Sequence, residues 1–274
     1  MSGPLHELKE LGLAPSRRRS QNFLGDRRAA EAIAGLILRE NEGAGGILEI
    51  GPGLGALTRP LLRSGARVTA VELDRGLAAR LSLWEECRSG ALRVVEGDAL
   101  KLGRDSFPEA LSLVCGNLPY NISSPLLFWF LENFPRLPGV FTLQKELSER
   151  LAAPPGTKAY GRLAVGLAPF YAVKILKELH PQCFRPRPRV RSAVALFKPR
   201  IDPPGVSPDE LSRVSRAAFA RRRKTLSNNL GPVYGRERIL EILRGLGVDP
   251  SERPERLAPE IFVSLALALR PDGA

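Results

Sequence analysis

The apolar run Ile47-Leu48-Glu49-Ile50, the turn Gly51-Pro52-Gly53-Leu54-Gly55 and a helix-forming stretch from about Ala56 to Arg63 limit the fold more than any other part of the chain. Entered through Gly45-Gly46, the apolar run reads as a short buried strand. Strand, glycine turn and helix is the opening unit of a nucleotide-binding α/β sheet, because glycines let a ligand approach the main chain. The spacing is G-x-G-x-G, not the dinucleotide G-x-G-x-x-G. A second strand, Arg67 to Val71, ends in Glu72-Leu73-Asp74. Glu72 lies 21 residues after Gly51, close to the spacing of about 20 at which an acid grips ribose hydroxyls. A helix over about 75–86 and a third strand, Leu92 to Val95, lead to Gly97-Asp98-Ala99. The Asp98 carboxylate there could accept a hydrogen bond from an adenine amino group. Three βα repeats with a polar residue after each strand make a doubly wound sheet the leading fold.

A fourth apolar run, Leu111 to Val114, reads as a strand that gives way to a loop at Cys115-Gly116-Asn117-Leu118-Pro119-Tyr120. Pro119 cannot continue a sheet ladder and drives Leu118 toward an extended conformation. An amide, a fixed backbone and an aromatic ring within four residues would grip a flat polar group. Read locally, the same residues also suit a plain strand-to-loop turn. At the carboxyl end of a strand in an open α/β sheet, however, the loop occupies the position where ligands bind.

The net charge is +12, an excess that points to a polyanion, with nucleic acid ahead of an anionic membrane surface. No apolar run approaches a membrane span, and residues 1–10 lack a signal-peptide pattern. Cys87, Cys115 and Cys183 are odd in number and widely spaced, and His6 and His180 are the only histidines. This argues for a reduced, cytoplasmic protein with no metal centre and no disulfide framework.

Residues 1–20 are polar, end in Arg17-Arg18-Arg19-Ser20 and read as a mobile basic arm. Asp26 is placed to cap a helix carrying Ile33, Leu36 and Ile37 on one face. Asn22 and Phe23 stand just before it, where Phe23 suits either a ligand cover or a lid on the core. Further helices are expected over Ser123 to Asn133, Lys145 to Leu151 and Tyr160 to Tyr171. Strands are expected over Val140 to Gln144, Ala172 to Leu179 and Ala193 to Phe197. Between the last two strands, Pro181 to Arg191 sets four arginines around Phe184. That composition suits single-strand nucleic-acid recognition and equally a stiff surface loop with Phe184 tucked inward. Pro199 to Pro208 holds four prolines and a glycine and marks a boundary between a domain of residues 21–200 and a helical one of residues 201–274. Helices are expected there over Glu210 to Ala220, within Arg236 to Leu246 and over Pro259 to Leu269. Arg213, Arg216, Arg221, Arg222, Arg223 and Lys224 crowd the start of the second domain, a cluster suited to phosphate contact.

Taken in order, Gln21-Asn22-Phe23-Leu24, Glu49 to Thr58, Val71-Glu72-Leu73-Asp74 and Gly97-Asp98-Ala99 resemble one family. So do Gly116 to Ser123, Leu143-Gln144-Lys145-Glu146, Lys158-Ala159-Tyr160-Gly161-Arg162, Phe184-Arg185-Pro186-Arg187-Pro188 and Phe219 to Leu230. It is the family of small-subunit ribosomal RNA adenine N6,N6-dimethyltransferases, and the resemblance runs from about residue 16 to the end. The glycine turn is shared by many methyltransferases; Asn-Leu-Pro-Tyr together with Phe-x-Pro-x-Pro is far more specific. Arg191 stands where the family usually has an acid, and Ser20 where it has a glycine.

The resemblance implies a Rossmann-like methyltransferase sheet followed by a small C-terminal all-α domain. It implies S-adenosylmethionine as cofactor, with Gly51 and Gly53 against its amino-acid part, Glu72 on the ribose and Asp98 on the adenine. Asn22 and Leu24 would close over it, and Asn117 would border it. The target adenine would be drawn out of its stack, with Asn117 and Leu118 on its amine, Pro119 fixing the Leu118 carbonyl, Tyr120 on one face and Phe184 on the other. Arg185, Arg187, Arg221, Arg222, Arg223 and Lys224 would hold RNA. The implied partner is small-subunit ribosomal RNA, within a pre-assembled subunit, and the protein would act as a monomer with no membrane. Three alternatives stand beside this reading: a large-subunit RNA adenine methyltransferase, a nucleic-acid-binding factor without catalysis, and a DNA amino-methyltransferase.

Overall fold

The computed structural model describes residues 4–10, 12, 14–15, 21–43, 45–107, 110–202, 204–221 and 223–270. In chain order the first elements are α1 (Pro4–Glu10), β1 (Phe23–Leu24), α2 (Arg27–Glu40), β2 (Gly46–Ile50), α3 (Thr58–Arg63), β3 (Val68–Glu72), α4 (Arg75–Ser82), α5 (Glu85–Arg88) and β4 (Leu92–Glu96). The middle of the chain forms β5 (Leu111–Asn117), α6 (Ser123–Asn133), β6 (Gly139–Gln144), α7 (Lys145–Leu151), α8 (Arg162–Leu167), β7 (Tyr171–Leu179), β8 (Phe184–Arg185) and β9 (Ser192–Pro199). The last part is helical: α9 (Pro208–Ala218), α10 (Leu226–Tyr234), α11 (Arg236–Gly245) and α12 (Pro259–Ala268).

Seven strands form one sheet in the order β4-β3-β2-β5-β6-β9-β7. β4, β3, β2, β5 and β6 run parallel, and β9 pairs antiparallel with β6. Strands covered on both faces are near-continuous apolar runs; β2 and β3 are buried throughout, and their polar members Glu49, Thr69 and Glu72 are the exceptions. From β2 the chain winds outward through β3 and β4, then returns to place β5 on the other side of β2. The order therefore reverses between β2 and β5. In an open α/β sheet the crevice at that switch, beyond the carboxyl ends of the strands, is the ligand site. α2 closes one face with Ile33, Ala34 and Ile37, which join Ile47, Leu61, Val68, Leu113 and Cys115 in one hydrophobic core cluster. Asp26 caps α2 as expected, accepting the Ala29 N–H at 3.0 Å.

The chain divides into two compact units, residues 1–148 with 174–198 and residues 149–173 with 199–274. A single boundary near residue 200 is thus corrected: residues 149–173 belong with the C-terminal helices. α8 buries Ala164, Val165, Gly166 and Leu167 and packs on α9 and α12. The Tyr160 hydroxyl donates to the Leu257 carbonyl at 2.8 Å. Proline composition marks a boundary between elements, but only packing shows that an earlier segment crosses into the later unit. Within that unit Phe219 stacks on Phe262, with ring centroids 5.6 Å apart, and the capping box of Ser207 and Glu210 starts α9.

Four local expectations change. Residues 4–10 form a helix with Leu8 buried, so the segment 1–20 is not wholly an unstructured arm; Arg17 to Ser20 lie outside the described residues. The helix expected over 75–86 breaks at Leu83-Trp84, because the Trp84 ring packs against Gly55. The helix expected over Tyr160 to Tyr171 is confined to α8, and Tyr171 already begins β7. α10 was not expected; Thr225 caps it, accepting the Asn228 N–H. Among the described residues no helix is long and apolar enough to cross a membrane.

Candidate active site

β2 and β5 are neighbours in register, with Glu49 beside Cys115. The turn after β2 and the motif after β5 therefore open onto one cleft. Asn22, Leu24, Gly51, Gly53, Glu72, Asn117, Leu118, Pro119 and Tyr120 all line it. A second hollow continues from it past Leu73 and Asp98, and the two share Gln21, Gly51, Glu72 and Pro119. Every expected cofactor-side residue thus lines one of these two adjoining hollows.

Gly51 has φ +66° and nothing within 4 Å of where a Cβ would point, which leaves bare main chain open to a ligand. Gly55 is required for a different reason. At φ +81° a Cβ there would stand 2.2 Å from the Trp84 ring. Glu72 is buried at the end of β3; one oxygen accepts the Gly53 N–H and the other the Asp74 N–H, each at 2.9 Å. A carboxylate offers about four lone-pair sites, so Glu72 retains acceptor capacity for a ribose hydroxyl. Burial pushes the Glu72 carboxyl up in pKa, helped by the Asp74 charge and opposed by the Asp74, Gly53 and Leu73 amides. Asp98 is half-buried and caps a short turn, accepting the Leu100 N–H at 3.1 Å. Open main chain at Gly51 together with these two carboxylates fits an adenosyl group bearing a cationic amino-acid part.

Glu49 joins the site although it is not among the residues expected there. It is 1% exposed, lines the cleft and accepts the Thr58 hydroxyl at 2.7 Å. Burial raises its pKa to about 7, the Thr58 hydrogen bond opposes that, and the charge of Glu72 adds to it. The available signal was a carboxylate inside an otherwise apolar strand, which is costly to bury without a purpose.

The base-side motif is held more firmly than a loop would be. β5 continues to Asn117, which pairs with Thr142 of β6, and the Leu118 N–H donates to the Thr142 carbonyl at 3.1 Å. The expectation of a loop from Cys115 is corrected accordingly, since the ladder is lost only where proline removes the donor. The Asn117 side-chain nitrogen donates to the Asn22 carbonyl at 2.9 Å. A carbonyl can only accept, so this contact fixes the amide's orientation and leaves Oδ1 as an acceptor. The Ser123 hydroxyl donates to the Pro119 carbonyl at 2.8 Å. The Tyr120 hydroxyl shares a 2.6 Å hydrogen bond with the Ser192 hydroxyl. Ser192 was missed because nothing in the local pattern of β9 marks it.

Phe184 is corrected. It is fully buried in the same hydrophobic cluster as Leu24, Leu179 and Val194 and does not line the cleft. Its two-residue strand β8 pairs antiparallel with β1, with Leu24 opposite Phe184. Alternation along β8 turns Phe184 inward and Arg185 outward. The reading with Phe184 tucked inward is the one realised. Phe23 lines the cleft and also packs with Leu8, Leu54 and Leu77.

Outside the cleft, Tyr120, Asn121, Gln144, Pro186, Pro188, Arg189 and Val190 line a broad hollow, an apolar and polar mouth suited to a splayed base. Arg187 is exposed, while Arg185 donates to the Gln182 and Phe184 carbonyls, each at 2.8 Å. Arg191 lies 3.6 Å from Glu178, which also pairs with Lys145 at 2.7 Å. In the helical unit Arg221, Arg223 and Lys224 are exposed; Arg222 lies outside the described residues. Asn229 secures that basic stretch, donating to the Ala218 carbonyl at 2.7 Å and accepting the Arg221 N–H at 3.2 Å.

The family model described as "Ribosomal RNA adenine dimethylase" matches residues 15–270. A protein of Myxococcus xanthus named "Ribosomal RNA small subunit methyltransferase A" is 43% identical, over 99% of this chain and 96% of its own length. One of Thiobacillus denitrificans with the same name is 44% identical, over 89% and 93%. Among solved structures, a dimethyladenosine transferase from Plasmodium falciparum superposes with a TM-score of 0.73 at 26% identity, covering 86% of this chain and 94% of its own. The 23S rRNA methyltransferase ErmE superposes with a TM-score of 0.66, also at 26% identity, over 90% and 99%. The match over nearly the whole length, with the glycine turn, Glu72 and the Asn117–Tyr120 motif on one cleft, shows that the chain belongs to the ribosomal RNA adenine dimethylase family, S-adenosylmethionine-dependent enzymes of the Rossmann-like methyltransferase fold.

Proposed function

We propose that this protein dimethylates N6 of two adjacent adenosines in the 3′-terminal helix loop of small-subunit (16S) ribosomal RNA, during maturation of that subunit. It acts as a cytoplasmic monomer on a pre-assembled particle. The observation that carries this is Asn117: the end of a strand and the Asn22 carbonyl orient its amide so that Oδ1 accepts, in the same cleft as Glu72 and the glycine turn. The name borne by the Myxococcus xanthus and Thiobacillus denitrificans relatives favours the small-subunit substrate over the large-subunit one.

On this reading Gly51, Gly53, Glu72, Asp98, Asn22 and Leu24 hold S-adenosylmethionine, which supplies an electrophilic methyl on a sulfonium when bound. Glu49 and Glu72 would supply negative charge to the wall of a cleft that takes a cationic cofactor. An adenine N6 lone pair is delocalised into the ring, so the amine is a poor nucleophile. Asn117 Oδ1 and the Leu118 carbonyl each accept an N6–H, which favours a tetrahedral nitrogen with its lone pair available. The same dipoles stabilise the positive charge that develops on that nitrogen before its proton leaves to water. Tyr120, anchored by Ser192, stacks on one face of the base. Catalysis is then alignment plus oriented dipoles, with no side chain needed as an obligatory base. Arg185, Arg187, Arg221, Arg222, Arg223 and Lys224 contact phosphates.

The test is methyl transfer from labelled S-adenosylmethionine to naked 16S RNA, purified small subunits, 23S RNA and DNA, side by side. Two doubly methylated adjacent adenosines near the 3′ end, made on the subunits, are expected. Label on 23S RNA or DNA instead overturns the assignment.

A further inference from the structure

α1 has seven residues, too few to be a stable helix alone in water, so its form depends on what it touches. Leu8 is 2% exposed and packs with Phe23, Leu54 and Leu77. Phe23 and Leu54 are also walls of the cofactor cleft, and the Phe23 ring lies 3.1 Å from where a Gly53 Cβ would stand. The second tether is ionic. Glu7 pairs with Arg80 of α4, both side chains being mostly shielded, at 31% and 15% exposure. Arg80 in turn donates to the Leu54 carbonyl at 3.4 Å, and its guanidinium stands 5.7 Å from the centre of the Trp84 ring that fills the space beside Gly55. Both tethers of α1 therefore end on the turn between Gly51 and Gly55, and Arg80 joins them.

We propose that α1 clamps the cofactor turn, with Arg80 as the positioning residue, so that docking of this helix and binding of S-adenosylmethionine are coupled. The inference rests on the cofactor being held at this turn. Coupling is reciprocal: the cofactor tightens α1, and loosening α1 weakens the cofactor. The strain falls on affinity, because none of Glu7, Leu8 or Arg80 touches the base-side motif.

Two full-length variants test this. Glu7→Gln removes one charge from a partly exposed position and leaves the fold intact; Arg80→Met keeps the apolar stem without the charge. Both are expected to weaken equilibrium binding of labelled S-adenosylmethionine by about three- to tenfold. The loss should appear in the cofactor KM and not in kcat at saturating cofactor. Amide exchange over residues 5–10 of the unaltered chain is expected to slow when the cofactor is added, and to slow less in either variant. Cofactor binding by the unaltered chain that both variants leave unchanged, or exchange over residues 5–10 indifferent to cofactor, overturns the clamp alone. Failure of the unaltered chain to bind S-adenosylmethionine overturns the reading of the turn, and the clamp with it.

Discussion

Glu72 receives its two main-chain N–H groups from 19 and 2 residues away in sequence, whereas Asn117 and Tyr120 are each held by one side-chain hydrogen bond, to residues 95 and 72 positions away. The two sides of the cleft thus differ in kind. The cofactor side is built of main chain and buried carboxylates set by one strand–turn–helix unit and its neighbour. The base side is a short motif whose orientation is imposed by segments far along the chain. Changes on the cofactor side should act on affinity and stability, and changes on the base side on rate.

The largest separation is expected at Asn117. On the proposed reading, Asn117→Ala removes an acceptor for the nitrogen that becomes charged and should lower kcat by about 10²–10³, with cofactor affinity affected far less. Single-turnover transfer and equilibrium cofactor binding measure the two. Asn117→Asp sharpens the point: it keeps an acceptor but loses the donor to the Asn22 carbonyl. Equal losses of rate and cofactor affinity in Asn117→Ala would erase the division.

On the cofactor side, Gly55→Ala must drive a Cβ into Trp84 from a left-handed backbone and should cost about 2–3 kcal/mol of stability, read by denaturant unfolding. Glu49→Gln tests the buried acid. Its pKa is about 7 in the folded protein against an ordinary 4.5, so the folded state binds its proton more tightly. Stability from that proton is complete below about pH 4.5 and is lost as pH rises toward 7. Glu49→Gln should therefore stabilise the protein above pH 7, by at most about 3 kcal/mol, with the gain vanishing near pH 4.5. Because the cofactor is cationic, its affinity should rise across the same interval in the unaltered chain and rise less in the variant.

Smaller effects are expected at the Tyr120 anchor. Tyr120→Phe and Ser192→Ala each remove the same hydrogen bond, worth about 1 kcal/mol, so each should slow transfer several-fold and the double variant no further. Additive losses would mean that Ser192 does something besides hold the ring. Arg221→Ala or Lys224→Ala should reduce the salt dependence of RNA binding by about one charge each, with kcat at saturating RNA little altered.

Much of this was legible in the residues themselves. The doubly wound sheet, the glycine turn, Glu72, Asp98 and the Asn117–Tyr120 motif follow from short apolar runs, glycines and polar residues at strand ends, because strand period and turn chemistry are local. Packing decided the rest. The family resemblance puts Phe184 against the base, and the pairing of β8 with β1 turns it into the core instead. Residues 149–173 changed units because α8 buries its face against α9 and α12. Residues 4–10 became a helix because Leu8 and Glu7 found partners beside the glycine turn. Ser192 acquired a role only when β9 came beside Tyr120. The sequence alone determined which chemistry-bearing residues sit at strand ends, since that depends on neighbours in the chain. Which side chains face the cleft, and which distant groups hold them there, was decided by the reversal of strand order between β2 and β5 and by burial, which compare residues the chain itself keeps far apart.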